Sequence, residues 1–229
     1  IIKSVVLILK ALCKDKKTCT TFCALRPDSL PYLVNLLTTP DEEIVLNVLI
    51  VISMAIGTTS MRKRMVQAGV ESIVYLCGGA NKEIQIWCAA ILCALSFTPE
   101  CRVPIIQAGA AKGLSIVSGI KEDVNQHRCS IAICNLSAEF ECRLRMIEDG
   151  VTTSLISLSS AHHESIRFNC CKALCNLSCT VGNEMDLVQA GTLPELMLTA
   201  LVRSEYPITK LVCIKTIANL IADDTIDIL

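Results

Sequence analysis

Apolar side chains recur at helical spacing along the chain, in segments that short polar turns separate. In one such unit, residues 60–68 place their charges on one face and their methionines on the other, which predicts a short amphipathic helix. Gly69 ends that helix, and the apolar residues 70–77 predict a second short one. A third and longer helix is predicted at 81–97, because Asn81 can cap it and apolar residues follow every three or four positions.

This three-helix unit repeats along the sequence. A Gly or Ser follows the first helix of each unit at intervals of 40 or 41 residues, and an apolar residue marks the end of each third helix at a similar interval. The first set is Ser29, Gly69, Gly109, Gly150 and Gly191, and the second set is Ile56, Leu95, Leu136, Leu177 and Leu220. Self-similarity at this period predicts an all-α solenoid, in which each unit buries its apolar face against its neighbours.

The period divides the chain into five repeats within a single solenoid, 1–229. The repeats are expected at 14–57, 58–97, 98–138, 139–179 and 180–222. Residues 1–13 are interpreted as the last helix of a preceding repeat and residues 223–229 as the start of a following one. The sequence therefore indicates a piece of a longer protein, and both of its ends should expose apolar faces.

Composition narrows the classes of partner. The chain is 52% hydrophobic with a formal net charge of −1, so it has no overall charge that would attract nucleic acid or an anionic membrane. It has no uninterrupted apolar run of about 18 residues, which a membrane-spanning helix would need. We therefore expect a protein partner, no nucleic acid and no membrane span.

The fifteen cysteines permit two interpretations. In a secreted protein they would indicate a disulfide framework. Many of them recur at one repeat position, as Cys88, Cys129 and Cys170 do, where a cysteine serves as a small hydrophobic core residue. We therefore expect a reducing, cytoplasmic location, with cytoskeletal or ciliary association as a further option. We also expect the thiols to be unreactive, except those of Cys101 and Cys142 on first helices.

Residues with catalytic or metal-binding potential form no convincing site in the sequence. Cys171, Cys175 and Cys179 share a helix face but have no partner ligands from a second segment, and the His-His-Glu turn at 162–164 is expected to be solvated. No phosphate-binding loop, nucleophile elbow or pair of catalytic carboxylates is evident. We expect no catalytic residues, no metal site and no cofactor, and a protein that is not an enzyme.

Short motifs within the units resemble those of armadillo repeats. Second helices open with Leu30-Pro31 and Leu193-Pro194, and third helices end with Asn135-Leu136-Ser137 and Asn176-Leu177-Ser178. Together with the Ala-Gly before the second helix, this combination is similar to the armadillo family, whereas HEAT repeats have two helices and no such Gly. The resemblance implies a right-handed superhelical solenoid with three helices per repeat, whose third helices line a concave groove. In that groove, Asn side chains of the family hold the backbone of an extended partner peptide.

Counting helical turns from that Asn gives the residues expected to line the groove. Its N-terminal half is mainly apolar and consists of Asn47, Val51, Ala55, Ile86, Ala90 and Ala94. Its C-terminal half is more polar, although it includes Ile131 and Leu211. The candidate partner-binding residues are Asn135, Asn176, Asn219, Lys172, Lys215, Arg128, Trp87, His127, Phe168 and Asn169. Importin-alpha-like proteins have Trp where this chain has Lys172 and Lys215. The groove is more similar to that of β-catenin-like proteins, where lysines meet acidic ligands.

We expect a non-enzymatic scaffold that binds an extended or helical segment of a partner protein, acidic or apolar in character. One alternative is a structural armadillo solenoid built into a larger cytoskeletal or ciliary assembly. Another is a nuclear transport adaptor. The groove asparagines can also be explained by hydrogen bonds at helix ends without any ligand, and this explanation stays open.

Overall fold

A computed structural model describes residues 1–15, 18–19 and 29–222 of the chain. These residues form α-helices and one short π-helix, with no β-strand among them. The α-helices are α1 (Ile2–Cys13), α2 (Ser29–Leu36), α3 (Glu42–Ala55), α4 (Thr59–Gly69), α5 (Glu71–Leu76), α6 (Lys82–Ser96), α7 (Pro99–Gln107), α8 (Ala110–Ser118), α9 (Asp123–Ser137), α10 (Phe140–Glu148), α11 (Val151–Ser159), α12 (Glu164–Leu177), α13 (Glu184–Gln189), α14 (Thr192–Leu198) and α15 (Pro207–Ile221). The predicted start of a following repeat, residues 223–229, lies outside the described residues. Within them, no helix has the length and apolar character that a membrane span requires.

Glycine makes the turn between first and second helices. Gly69 has a φ of 111° and Gly150 a φ of 79°, in the left-handed region that residues with a Cβ rarely adopt. Gly109 and Gly191 have the same conformation at the equivalent positions. The predicted role of these glycines as helix terminators is therefore confirmed, and it explains why the repeat carries Gly there.

Polar caps fix where two of the long third helices begin. The Asp41 side chain accepts hydrogen bonds from the backbone N–H groups of Glu43 and Ile44 at the start of α3. Asn81 does the same at the start of α6, as the sequence predicted. Each cap satisfies backbone donors that have no partner inside the helix.

The chain forms two compact units, residues 1–117 and 118–229. In the first unit the third-helix elements α1, α3 and α6 pack in succession, and in the second unit α9, α12 and α15 do so. Leucines at one repeat position are fully buried in both units, as Leu95, Leu136 and Leu177 show. This confirms the predicted plan of three helices per repeat with the apolar side of the third helix in the core.

Apolar side chains are exposed on the first and the last of the described helices, as the sequence predicted. On α1 they include Ile2 and Ile8, and on α15 they include Ile214, each more than half exposed. In a stack of repeats, such faces are normally covered by the next repeat.

The second helix of the last repeat ends earlier than the sequence predicted. The sequence predicted a second helix at 193–201, but α14 ends at Leu198 and a π-helix, Thr199–Arg203, follows it. The wider turn brings Arg203 into an ion pair with Glu195, eight residues earlier. Glu195 also accepts a hydrogen bond of 2.6 Å from Ser159 Oγ on α11. This carboxylate therefore joins the second helices of adjacent repeats.

Arginines on first helices cap the third helices that precede them. In each case the arginine Nε donates to a carbonyl oxygen at or just beyond the C-terminal end of the third helix, six residues earlier in the chain. The bonds run from Arg62 to Ile56, from Arg102 to Ser96 and from Arg143 to Ser137, at 3.1, 2.9 and 2.9 Å. A positive side chain at this end also complements the helix dipole.

The cysteines are mostly core residues, as predicted for Cys88, Cys129 and Cys170, but the predicted exceptions are wrong. Cys101 and Cys142 were expected to be the accessible thiols, and both are buried. On α7 and α10 they lie one turn before Ile105 and Met146, on the face that packs inward. Burial raises the pKa of the Cys101 thiol, and the neighbouring Glu100 carboxylate adds to the rise. The accessible thiols of the described residues are instead Cys179, which is exposed, and Cys175, which is half-buried.

Thiol labelling should follow this order. A bulky maleimide should modify Cys179 first and Cys175 next, because a reagent of this size reaches only exposed thiolates. The buried thiols should react at least tenfold more slowly until denaturant is added. A time course read by mass spectrometry measures the rate at each site. Labelling of Cys101 or Cys142 as fast as Cys179 would contradict their burial. Several disulfides in protein kept from oxidation during isolation would contradict a cytoplasmic location.

Candidate functional site

Three long helices of the second unit leave one side open to solvent. α9, α12 and α15 pack in succession, and the residues on their open side follow at steps of one helical turn. We call this surface the third-helix face. It consists of His127, Arg128, Ile131, Asn135, Phe168, Asn169, Lys172, Asn176, Leu211, Lys215 and Asn219, all of them exposed or half-buried. The structure thus brings together nine of the ten candidate residues that the sequence predicted.

Asparagine side chains on this face join one repeat to the next. Asn176 Nδ2 donates to Ser137 Oγ at 3.0 Å, and Ser137 Oγ donates to the carbonyl oxygen of Cys134 at 2.9 Å. The same chain of two bonds recurs one repeat later, from Asn219 to Ser178 at 3.0 Å and from Ser178 to the carbonyl oxygen of Cys175 at 2.9 Å. The final serine of each Asn-Leu-Ser motif is therefore the hydrogen-bond acceptor for the asparagine of the following repeat.

These bonds orient the asparagines without using up their hydrogen-bonding capacity. Both asparagines donate through Nδ2, and Asn219 Nδ2 also lies 3.3 Å from Cys179 Sγ. The carboxamide oxygen takes no part in these bonds, and it can accept from a peptide N–H whatever the peptide sequence. Because each carboxamide is already held by the preceding repeat, less side-chain entropy is lost when a ligand binds.

Asn169 has a different partner from the other asparagines. It lies near the middle of α12, and its Nδ2 donates to Ser130 Oγ on α9 at 3.2 Å. Ser130 Oγ in turn donates to the carbonyl oxygen of His127 at 2.8 Å. The bond fixes α12 against α9, so Asn169 supports the face in addition to lying on it.

The charge of the third-helix face is positive. Lys172 and Lys215 are exposed and lie one turn before Asn176 and Asn219. Neither lysine forms an ion pair with another described residue. Arg128 adds a third cation, and none of the residues that form the face is acidic. An anionic group that binds here would therefore meet two lysine charges that no other described residue neutralises.

The predicted groove residues on α6 of the first unit are apolar. Trp87 on α6, the tenth candidate, is half-buried, as are Ile86, Ala90 and Ala94. Trp87 is therefore partly accessible, and it lies in the first unit.

The predicted groove residues of α3 are wrong by one position. Asn47, Val51 and Ala55 are buried, with exposed fractions of 5%, 1% and 6%. The caps at Asp41 and Asn81 show that equivalent residues of α3 and α6 are 40 positions apart. The end markers Ile56 and Leu95, from which the groove was predicted, are only 39 positions apart.

The buried Asn47 has internal partners. Its side-chain oxygen accepts from Lys10 Nζ at 2.8 Å, and its Nδ2 donates to the carbonyl oxygen of Glu43 at 2.8 Å. α3 has one residue fewer than α6, 14 against 15, so a count backward from its end shifts the register onto the buried side.

A carboxylate network at the start of α12 was not predicted. Glu164 accepts hydrogen bonds from Ser204 Oγ at 2.7 Å and from Thr209 Oγ1 at 2.5 Å, and it pairs with Arg167 Nη2 at 2.7 Å. Burial alone would raise the pKa of Glu164, but the hydrogen bonds from Thr209, Ser204 and Arg167 together lower it. The prediction that residues 162–164 are solvated is therefore wrong for Glu164, whereas His163 is exposed.

Reactive groups of the described residues are not assembled into a recognisable centre. Cys171 and Cys175 lie on α12 and Cys179 lies two residues beyond its end. Cys171 is buried, Cys175 is half-buried and Cys179 is exposed, so the three thiols do not share one environment. Within the described ranges, no three His, Cys, Asp or Glu side chains are placed to hold a metal ion. The chemistry that this site offers is hydrogen bonding and charge.

Comparisons with known proteins identify the architecture. A computationally designed armadillo repeat protein for modular peptide recognition superposes with a TM-score of 0.80 and 20% identity, over 94% of this chain and 92% of the other. A designed armadillo repeat protein has a TM-score of 0.76 and 21% identity, over 95% and 92% of the two chains. Another, solved in complex with the peptide (KR)4, has a TM-score of 0.75 and 19% identity, over 95% and 92%.

Sequence comparison adds no further relative. No protein-family model matches the chain, and no curated protein matches it at a significant level. The structural similarity extends over nearly all of the chain, and it confirms that the protein has an armadillo-repeat fold.

Proposed function

We propose that this protein is a non-enzymatic scaffold that binds an extended segment of another protein along the third-helix face of α9, α12 and α15. The observation that carries the proposal is the repeated asparagine on that face, held by a serine of the preceding repeat and followed one repeat later by the same arrangement. The similar designed proteins support it, since one was made for modular peptide recognition and another has a bound peptide.

An extended backbone fits the spacing of these groups. Packed helices lie about 8–10 Å apart, and an extended chain advances about 3.3 Å per residue. Asn176 and Asn219 on adjacent third helices would therefore meet backbone groups roughly two to three residues apart. Each carboxamide oxygen can accept one peptide N–H, which gives affinity without dependence on side chains.

The charge of the third-helix face indicates which partner segments it prefers. The peptide (KR)4 of the designed neighbour is basic, whereas the third-helix face presents Lys172 and Lys215 beside the asparagines. Like charges would repel a basic peptide, and carboxylates would form charge-assisted hydrogen bonds to the two ammonium groups. We therefore propose a β-catenin-like preference for acidic segments and not the basic preference of importin-alpha-like transport adaptors.

The test compares charge reversal on the face with the same charge reversal elsewhere. The probes are a fluorescein-labelled peptide with glutamate at every second position and the peptide (KR)4. The protein should bind the acidic peptide at least tenfold more tightly than (KR)4, and Lys172→Glu with Lys215→Glu should reduce that affinity at least tenfold. Hydrogen bonds to charged groups contribute about 1.5–3 kcal/mol, but both lysines are exposed, so we expect the lower end of that range for the pair.

Matched controls separate the face from general electrostatics. Lys112→Glu with Lys121→Glu makes the same change in net charge at two exposed lysines outside the third-helix face, and it should change the affinity less than twofold at 0.15 M salt. Trp87→Ala measures whether the apolar surface of α6 contributes independently. An equal loss of affinity in the two lysine double variants would show that the peptide is attracted non-specifically. Unchanged affinity in every variant would favour the structural alternative, in which the solenoid packs within a larger cytoplasmic assembly.

A further inference from the structure

Two buried thiols lie in contact between the last two third helices. Cys171 on α12 and Cys213 on α15 are both fully buried, and their Sγ atoms are 3.3 Å apart. A disulfide bond is about 2.05 Å long, so the two sulfurs would have to approach each other by about 1.3 Å to form one. The residues are 42 positions apart and belong to different repeats.

This contact arises because the two cysteines occupy repeat positions that differ by one residue, and these positions meet where α12 packs against α15. Cys213 occupies the position of Cys170, one residue before that of Cys171. In the pair formed by α9 and α12, the position of Cys171 is taken by Ser130, which accepts a hydrogen bond from Asn169 instead. Cys171, whose position holds Ser130 in α9, thus becomes half of a thiol pair where α12 meets α15.

The two thiols are electrostatically different. The hydrogen bond with the Cys171 thiol lowers the pKa of Cys213, although burial and the Glu164 carboxylate act in the opposite direction. The same bond, together with burial, raises the pKa of Cys171. Cys213 is therefore the thiol that ionises first, and Cys171 keeps its proton.

We propose that Cys171 and Cys213 are an oxidation-sensitive pair that a hydroperoxide converts into a disulfide between α12 and α15. The Cys213 thiolate attacks one peroxide oxygen, the O–O bond breaks, and Cys213 becomes a sulfenic acid while hydroxide leaves and takes up the proton that Cys213 had lost. The sulfur of Cys171 then attacks the Cys213 sulfur and forms the S–S bond. The displaced hydroxyl leaves as water with the proton of Cys171, so two thiols are oxidised and one hydrogen peroxide is reduced to two waters.

The link would fix the two helices that carry the lysines of the third-helix face. Lys172 follows Cys171 directly, and Lys215 lies two residues after Cys213. Oxidation would therefore hold the separation of these two lysines constant. This consequence rests on the proposed peptide binding, whereas the disulfide does not.

Peptide mapping tests the disulfide directly. The purified protein is treated with hydrogen peroxide in native buffer, blocked with N-ethylmaleimide and digested with trypsin, which yields FNCCK (168–172) and LVCIK (211–215). A cross-linked FNCCK–LVCIK species should accumulate before the other buried thiols are oxidised. Amide exchange in α15 should then slow at least tenfold, because α15 can no longer separate from α12.

Single variants identify the sulfur atoms. Cys171→Ala and Cys213→Ala should abolish the cross-linked species and the slower exchange. Cys170→Ala is the matched control, since Cys170 lies in the same tryptic peptide and is equally buried, and it should leave the cross-link intact. A cross-link that survives Cys171→Ala, or that forms only in denaturant, would overturn the proposal. Peptide affinity that is unaffected by a confirmed cross-link would instead count against the consequence for the third-helix face alone.

Discussion

Replacement of Leu136 by alanine is expected to lower the free energy of unfolding by about 2–5 kcal/mol, because it opens a cavity in a fully packed core. Leu136 is completely buried on α9, and Leu177 occupies the same position in the next repeat. Since repeats are coupled mainly to their neighbours, the loss should be largest near α9 and should decrease along the second unit. Denaturant unfolding measures the free energy, and amide hydrogen exchange locates the loss.

A leucine on the surface of the same unit provides the control. Leu144 on α10 is 52% exposed, so Leu144→Ala removes the same atoms without a buried cavity and should change the free energy of unfolding by about 0.5 kcal/mol or less. Equal effects of the two substitutions would contradict the assignment of Leu136 to the core. Uniformly faster exchange in every described helix after Leu136→Ala would contradict nearest-neighbour coupling.

The architecture could be predicted from the sequence because its determinants are local. A glycine such as Gly150 ends a first helix through its own left-handed φ, and a cap such as Asn81 acts on the next two or three residues. Both signals recur with the period of the repeat, so each copy supports the others. The third-helix face of α9, α12 and α15 followed from the same periodicity.

The errors arose where a side chain is defined by another segment or by a change in helix length. α3 has one residue fewer than α6, and that difference moved the predicted groove onto the buried residues Asn47 and Val51. The burial of Cys101 could have been found, because Ile105 one turn later marks the inward face of α7. Sequence spacing alone could not show that Glu164 receives bonds from residues 40 and 45 positions later.

Removal of the Glu164 charge should produce the second large effect on stability. Glu164→Gln keeps the size of the side chain but removes the anion that pairs with Arg167 and accepts from Ser204 and Thr209. Hydrogen bonds to a charged group contribute about 1.5–3 kcal/mol each. The Glu164 side chain is 19% exposed and Gln can still accept one bond, so we expect a net loss of about 1–3 kcal/mol at pH 7.

The pH dependence distinguishes loss of charge from loss of packing. The network lowers the pKa of Glu164 in the folded state, so its contribution is fully present above the unfolded pKa of about 4.3. That contribution disappears as the pH falls through the folded pKa. The difference in unfolding free energy between the native protein and Glu164→Gln should therefore be constant from pH 7 to about pH 5 and should shrink below about pH 4. Asp123 begins α9 as Glu164 begins α12, but it is exposed and, among the described residues, its ion pair is with the exposed His163. Asp123→Asn should consequently cost less than about 1 kcal/mol. A Glu164→Gln penalty that persists unchanged at low pH would mean that shape, and not the carboxylate charge, holds α12 to α15.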